Sequence, residues 1–251
     1  MRKISVCSWC GTVFEIEEDE QETDVCGECV LITDDEVGMI DDIVEPIPDD
    51  IRAYAEMAAD LDADLAIIEK LAQHPRVRAI GETGLDFFRT EGDENVALQK
   101  HSFEEHIRIA KENDIALMIH DREAHDEVVE TLKRVGAPEK VVFHCYSGDV
   151  ELAEICNANG WYMSFAGNIT IKRNQGFRDS LKLARRELIM VETDAPFLAP
   201  EPYRGRANSP YLVPITVRYM AEQLGVDVNE LAAQLTQNTE RVYGSWSEGL
   251  A

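Results

Sequence analysis

Apolar runs in this chain repeatedly stop on residues that bind metal. VRAIG (77–81) runs into Glu82, IALMI (115–119) into His120, VVFH (141–144) closes on His144, and LIMVET (188–193) carries Glu192 and leads to Asp194. An imidazole at the end of one such run is either a satisfied core group or a ligand. Taken alone, each histidine reads as core, but four of five apolar runs share the habit. Two neutral imidazoles with one or two carboxylates form a three- or four-ligand site for Zn, Mn, Fe or a Mg-like ion, with room for water. A cation held that way activates water for hydrolysis at neutral pH. Glu192 and Asp194 are two apart on an extended segment and therefore share a side. One can bind metal or take a proton while the other orients a ligand or pairs with an arginine. Glu192 reads equally well as a structural salt-bridge partner.

A second constellation is Cys7, Cys10, Cys26 and Cys29, spaced C-x2-C-x15-C-x2-C. Two C-x-x-C knuckles supply the tetrahedral sulfur shell that zinc prefers, and four protein ligands leave no open position, which is a structural role. A redox pair, an iron–sulfur site and disulfides are the rival readings. Cys145 and Cys156 stand apart in apolar surroundings and read as buried thiols. His74, His101, His106 and His125 sit at the end of or within helical segments, where surface or packing roles are usual. GETG lacks the G-x-G-x-x-G spacing of a phosphate-binding fingerprint. In the loop PYRGRANSP, Arg204, Arg206 and Asn208 offer donors for phosphate oxygens; the alternative is a loop pinned by ordinary hydrogen bonds.

The elements that must position these groups follow from periodicity. Ile51, Tyr54, Ala58, Leu61, Leu65, Ile68 and Ala72 make one stripe on a helix from about residue 51 to His74, opened by Asp49 and Asp50. Beyond it, strand candidates 77–81, 115–119, 141–144, 161–167 and 188–193 are separated for the most part by helical segments 93–113, 122–135, 149–158 and 174–185. Such alternation implies parallel strands with crossover helices, in a barrel or a doubly wound sheet. In either, the C-terminal strand ends share one face, so Glu82, His120, His144 and Asp194 are expected to meet there. After a loop at 195–210 come helices 211–224 and 228–243, the second opened by Asp227 with Glu230 as a capping box and stopped before Gly244. Residues 1–45 read as the zinc ribbon, with TVFEIE as a strand, together with the acidic linker that follows it. Residues 46–251 read as the β/α domain.

At 251 residues with 45% hydrophobic content, the chain can build a sizeable core. No run is long enough to span a bilayer and the N-terminus lacks a secretory stretch, so the expected compartment is the cytoplasm, with no membrane partner. The net charge of −25 is uneven. Residues 1–64 hold 20 acids against 3 bases, and residues 65–251 hold 29 against 21. A chain this negative has no general attraction for nucleic acid, so a polyanionic substrate must be held locally by metal or a few arginines.

Read together, AIGETGLDF, MIHDREA, FHCYSGD, YMSFAGNIT, VETDAPFLAP and YRGRANSP resemble, in this order, the TatD family of metal-dependent deoxyribonucleases. That family is a branch of the amidohydrolase-like (β/α)8 barrels. The resemblance spans about residues 62–246. It implies that Glu82 binds or bridges metal, that His120 and His144 are ligands of the second metal position, and that Asp194 binds the first metal and handles the proton. It further implies DNA as substrate, often as single strands cut exonucleolytically, with Arg122, Arg204 and Arg206 near phosphate. The divalent ion would be Mg, Mn or Zn.

Two family elements are absent: no H-x-H occurs anywhere, and no G-x-H-P precedes the glutamate motif. The expected fold is therefore α/β, a TatD-like (β/α) TIM barrel incomplete at its N-terminal strands, plus the small zinc ribbon. Glu82, His120 and His144 still make an open three-ligand site, while Asp194 alone would hold a second ion poorly. The strand edges left by the missing units would need cover from residues 30–60, a partner chain or upstream sequence. The expected activity is metal-dependent hydrolysis of DNA phosphodiesters. The alternatives are amide or lactone hydrolysis on the same scaffold, or a non-catalytic binding protein using the ribbon.

Overall fold

A computed structural model describes residues 3–6, 13–16, 61–90 and 92–245. The chain divides into two compact units, Met1–Arg52 and Ala53–Ala251. In the first, β1 (Lys3–Val6) and β2 (Val13–Ile16) pair antiparallel, with Lys3 opposite Ile16 and Val6 opposite Val13. β2 falls within the TVFEIE stretch expected to be a strand. Cys7, Cys10, Cys26 and Cys29, the acidic linker and residues 51–60, expected from the sequence to be helical, lie outside the described residues. Among the described residues, no helix is long and apolar enough to cross a membrane.

Among its described residues, the second unit starts with α1 (Leu61–Ala72) and then alternates. Its order is β3 (Ala79–Asp86), α2 (Asp93–Glu112), β4 (Ala116–Arg122), α3 (His125–Val135), β5 (Val141–Phe143), α4 (Val150–Asn159), β6 (Tyr162–Phe165), α5 (Gln175–Leu183) and β7 (Ile189–Val191). α6 (Val213–Leu224) and α7 (Val228–Tyr243) follow. Five parallel strands pair in the order β3-β4-β5-β6-β7. Among the described residues, β3 and β7 are the sheet edges, as expected of a barrel lacking its first strands.

Residue alternation sorts the two faces of the sheet. On β4, Leu117 and Ile119 are fully buried against the helices, whereas Met118, His120 and Arg122 face the other way and are half-buried. On β3, Thr83 and Leu85 pack under α2, where the Thr83 hydroxyl meets His106 Nδ1 at 2.9 Å. β5 and β6 are buried throughout, which is why VVF reads as a continuous apolar run. Each of these large side chains contributes about 1.5–3 kcal/mol by leaving water. Helix ends follow the expected chemistry. Asp149 accepts from Leu152 N at the start of α4, and Asp227 accepts from Asn229 N and Glu230 N at the start of α7. Asn238 on α7 is buried and donates to the carbonyls of Arg186 and Ile189, fixing the approach to β7.

One expectation needs correction. Glu82 and His120 do not end their strands; β3 continues to Asp86 and β4 to Arg122. Only the helix-facing half of each strand has to be apolar, so a polar side chain on the other face interrupts nothing. Among the remaining histidines, His101 pairs with Asp62 at the surface and His74 accepts from Arg76 N.

His125, the first residue of α3, has a structural task. Its Nδ1 lies 2.7 Å from Asp121 Oδ2. The Asp121 side chain is 6% exposed, and its other oxygen has no hydrogen-bond partner among the described residues. The hydrogen bond to Asp121 outweighs partial burial and raises the His125 pKa. A raised folded-state pKa means the stabilisation is fully present below the ordinary imidazole range and is lost as pH rises through the raised value. His125→Gln is therefore expected to cost about 1–2 kcal/mol at pH 6 in urea unfolding, with the deficit shrinking by pH 9. A deficit independent of pH would show that the imidazolium is not what holds Asp121.

Candidate metal centre

The site is built on an irregularity in β3. Ile80 pairs with Leu117 and Thr83 with Ile119, so Gly81 and Glu82 together oppose Met118. This is a bulge, and bulges turn side chains off the regular alternation. Two residues on, Gly84 lies opposite His120 with φ +151°, and a Cβ there would overlap the His120 carbonyl oxygen. The glycine lets the β3 backbone close on β4 where the two strands carry their polar groups. Glu82 thereby spans both imidazoles: Oε1 is 2.8 Å from His120 Nδ1 and Oε2 is 3.1 Å from His144 Nε2. The two rings are 6.0 Å apart.

His144 follows β5 directly, and its N–H donates to Ile119 O, extending the ladder by one residue. Its side chain is only 9% exposed. The far nitrogen, Nδ1, meets Glu192 Oε1 at 2.9 Å, which leaves Nε2 for the cluster. Glu192 is placed in the same fashion, its N–H donating to Phe165 O just past β7. Asp194 follows at φ +58°, and the loop beyond it is closed by Asn208. Two groups of ligand atoms result, Glu82–His120–His144 and His144–Glu192–Asp194, each with all its atoms within 4.8 Å. The four residues expected to converge do converge, with His144 common to both groups.

The electrostatics suit a cation. Burial raises the Asp194 pKa, and the charges of Glu192 and Glu82 add to this against the opposing effect of the histidines. At His144, burial disfavours the charged ring, yet Glu192, Glu82 and Asp194 together outweigh it and raise its pKa. A cluster whose carboxylates repel one another and draw protons onto their neighbours is one that a divalent ion would relax. Two imidazoles and oxygen donors fit Zn, Mn or Mg.

The arginines differ among themselves. Arg122, two residues beyond His120, lies 3.7 Å over the ring of Phe88, which is 54% exposed. Arg206 stands 5.7 Å from the Tyr203 ring, and Arg204 is exposed in the same loop. Asn208 proves structural: it is buried, donates from Nδ2 to Thr193 O at 2.7 Å, and its N–H reaches Pro196 O. Sequence reasoning missed Asp86, whose Oδ2 lies 3.2 Å from His120 Nε2. The signal was present, because Glu82, Gly84 and Asp86 share one face of a strand. Both histidines thus carry a carboxylate on the nitrogen turned from the other ring, the arrangement that fixes tautomer and ring angle in metal sites.

A parallel β/α sheet with an open histidine–carboxylate cluster at its C-terminal face defines a metal-dependent hydrolase of the TIM-barrel kind. The chain belongs to the TatD-related DNase family, whose model matches residues 48–244. It is 40% identical over 205 residues to the metal-dependent hydrolase TatD of Mycobacterium tuberculosis, covering 78% of each chain. To the metal-dependent hydrolase YabD of Bacillus subtilis it is 36% identical over 184 residues, covering 72% of this chain and 71% of the relative. The crystal structure of YjjV, a TatD homolog from Escherichia coli, superposes with a TM-score of 0.68 at 28% identity, covering 73% of this chain and 71% of that one.

If Glu192 orients His144, Glu192→Ala should weaken Mn²⁺ binding roughly 10–100-fold by isothermal titration. Undiminished affinity would leave Glu192 with no more than a packing role.

Proposed function

We propose that this metal-dependent hydrolase cleaves DNA phosphodiesters, acting on single-stranded ends, with Glu82, His120, His144 and Asp194 holding Mg, Mn or Zn. The observation that carries the reading is the Glu82 carboxylate between two imidazoles, at 2.8 and 3.1 Å, in a half-open mouth where Glu82 itself is 45% exposed. The family's description as DNase supports it. A divalent ion supplies Lewis acidity toward phosphate oxygen and makes water a competent nucleophile at neutral pH.

The chain's own groups do the remainder. Arg122, held by stacking on Phe88, presents N–H donors to a non-bridging phosphate oxygen. Arg204 and Arg206 extend such contacts from the last loop. Asp194, whose pKa is raised by burial, accepts the proton that water loses as its oxygen bonds to phosphorus and the ester P–O bond breaks, while the departing sugar oxygen takes a proton from solvent to leave as a hydroxyl. Glu192 and Asp86 keep the two rings in register throughout. In the N-terminal unit, we assign Cys7, Cys10, Cys26 and Cys29 to a structural zinc on their spacing.

With a labelled single-stranded oligonucleotide and Mn²⁺ or Mg²⁺, Asp194→Asn should lower kcat by about 10²–10⁴-fold. His144→Ala should abolish cleavage while one zinc per chain remains by elemental analysis. Undisturbed cleavage in His144→Ala would remove the site assignment, and turnover confined to amide or lactone substrates would remove the phosphodiester reading.

A further inference from the structure

The loop that follows β6 has no part in the cluster, yet it is built with unusual care. It runs from Gly167 to Asn174 at the same sheet end as His144 and Asp194, and touches the surroundings of both. Asn168 Nδ2 lies 4.0 Å from Sγ of Cys145, the neighbour of His144. On its other side, Thr170 Oγ1 accepts from Glu201 N at 2.8 Å, and a Cβ on Gly167 would overlap the Leu198 carbonyl oxygen. The loop is thus wedged between the two segments that carry the site.

It is also braced from beneath. Arg178 on α5 is 4% exposed. Its guanidinium donates to three carbonyls of this loop, Ile169 O at 2.9 Å, Ile171 O at 2.7 Å and Lys172 O at 2.6 Å, and to Gln175 Oε1 at 3.2 Å. Burying a guanidinium is costly unless its donors are used, and here they are spent on one short stretch of backbone. What that stretch displays is Lys172 and Arg173, both exposed and without an ion-pair partner among the described residues. In a chain with 49 acids and 24 bases, the run GNITIKRNQG (167–176) contains two bases and no acid.

We infer that the Lys172–Arg173 tip is a rigid cationic rim that binds the phosphate backbone of a strand whose end lies in the metal centre. This rests on the phosphodiesterase reading and extends it from the scissile phosphate to its neighbours. A polyanion approaching an acidic protein needs a fixed local cation pair, and a pre-ordered loop loses less entropy on binding than a mobile one. Arg178 is a positioning residue for that pair.

The test is fluorescence anisotropy of a labelled oligo-dT with the full chain carrying Asp194→Asn, from 50 to 200 mM salt. K172Q/R173Q should bind roughly ten-fold more weakly at the low end, and its log–log salt slope should be shallower by about 1.4, the loss of two single-strand phosphate contacts. The control is K133Q/K182Q, which removes the same charge from the C-terminal halves of α3 and α5 on the opposite face, and should retain the parent slope. Equal slopes in the two double variants, or no binding by the parent, would overturn the inference. Binding with the expected loss of slope, but no cleavage by the native chain, would sink the catalytic reading and still support the rim.

Discussion

The position of one carboxylate governs the rest of this structure. Glu82 reaches two imidazoles borne by different strands because β3 gains a residue relative to β4 at Gly81–Glu82, and because Gly84 lets the strands close beyond it. A regular strand would place residue 82 on the alternation of Ile80 and send its side chain among the helices. The bulge converts an edge strand with little else to distinguish it into the wall of a site. His120 and His144 need no comparable device, since regular alternation on β4 and the end of β5 already aim them at the same space.

Like-charge repulsion follows from that geometry. Glu82, Glu192 and Asp194 crowd around His144, and burial and mutual repulsion leave Asp194 easier to protonate than a free carboxyl. The centre is strongly acidic, whereas stacked Arg122 and the loops after β6 and β7 bring cations around it. Under the phosphodiesterase reading proposed above, that division is what lets a chain of net charge −25 hold a polyanion. A local group of cations can attract a phosphate where the chain as a whole would not.

Much of this was legible in the residues. The five strands and their crossover helices followed from apolar runs and 3-4 spacing, and the convergence of Glu82, His120, His144 and Asp194 followed from where those runs stopped. The bulge did not, because register is a property of a pair of strands and GETG carries no mark of how it lies against ALMIH. Asp86 was overlooked for a related reason: with β3 expected to stop at Gly81, it fell outside every expected strand. The Glu192 side chain was undecided between salt bridge and orienter until its partner, His144 Nδ1, was known. Asn208 was open in the same way, between a phosphate donor and a loop pinned by ordinary hydrogen bonds, and its bond to the Thr193 carbonyl decides for the second.

The Asn208 clip has an evolutionary implication. By tying Thr193 and Pro196 together at the base of the last loop, it isolates Asp194 from what happens further out. Glu201 is moored separately to Thr170, so residues 202–207 form an excursion with its own foundations. Neither mooring uses a side chain of residues 202–207, so exchanges there leave both in place. Sequence is thereby free to drift at the rim of the last loop while the turn at its base keeps its shape.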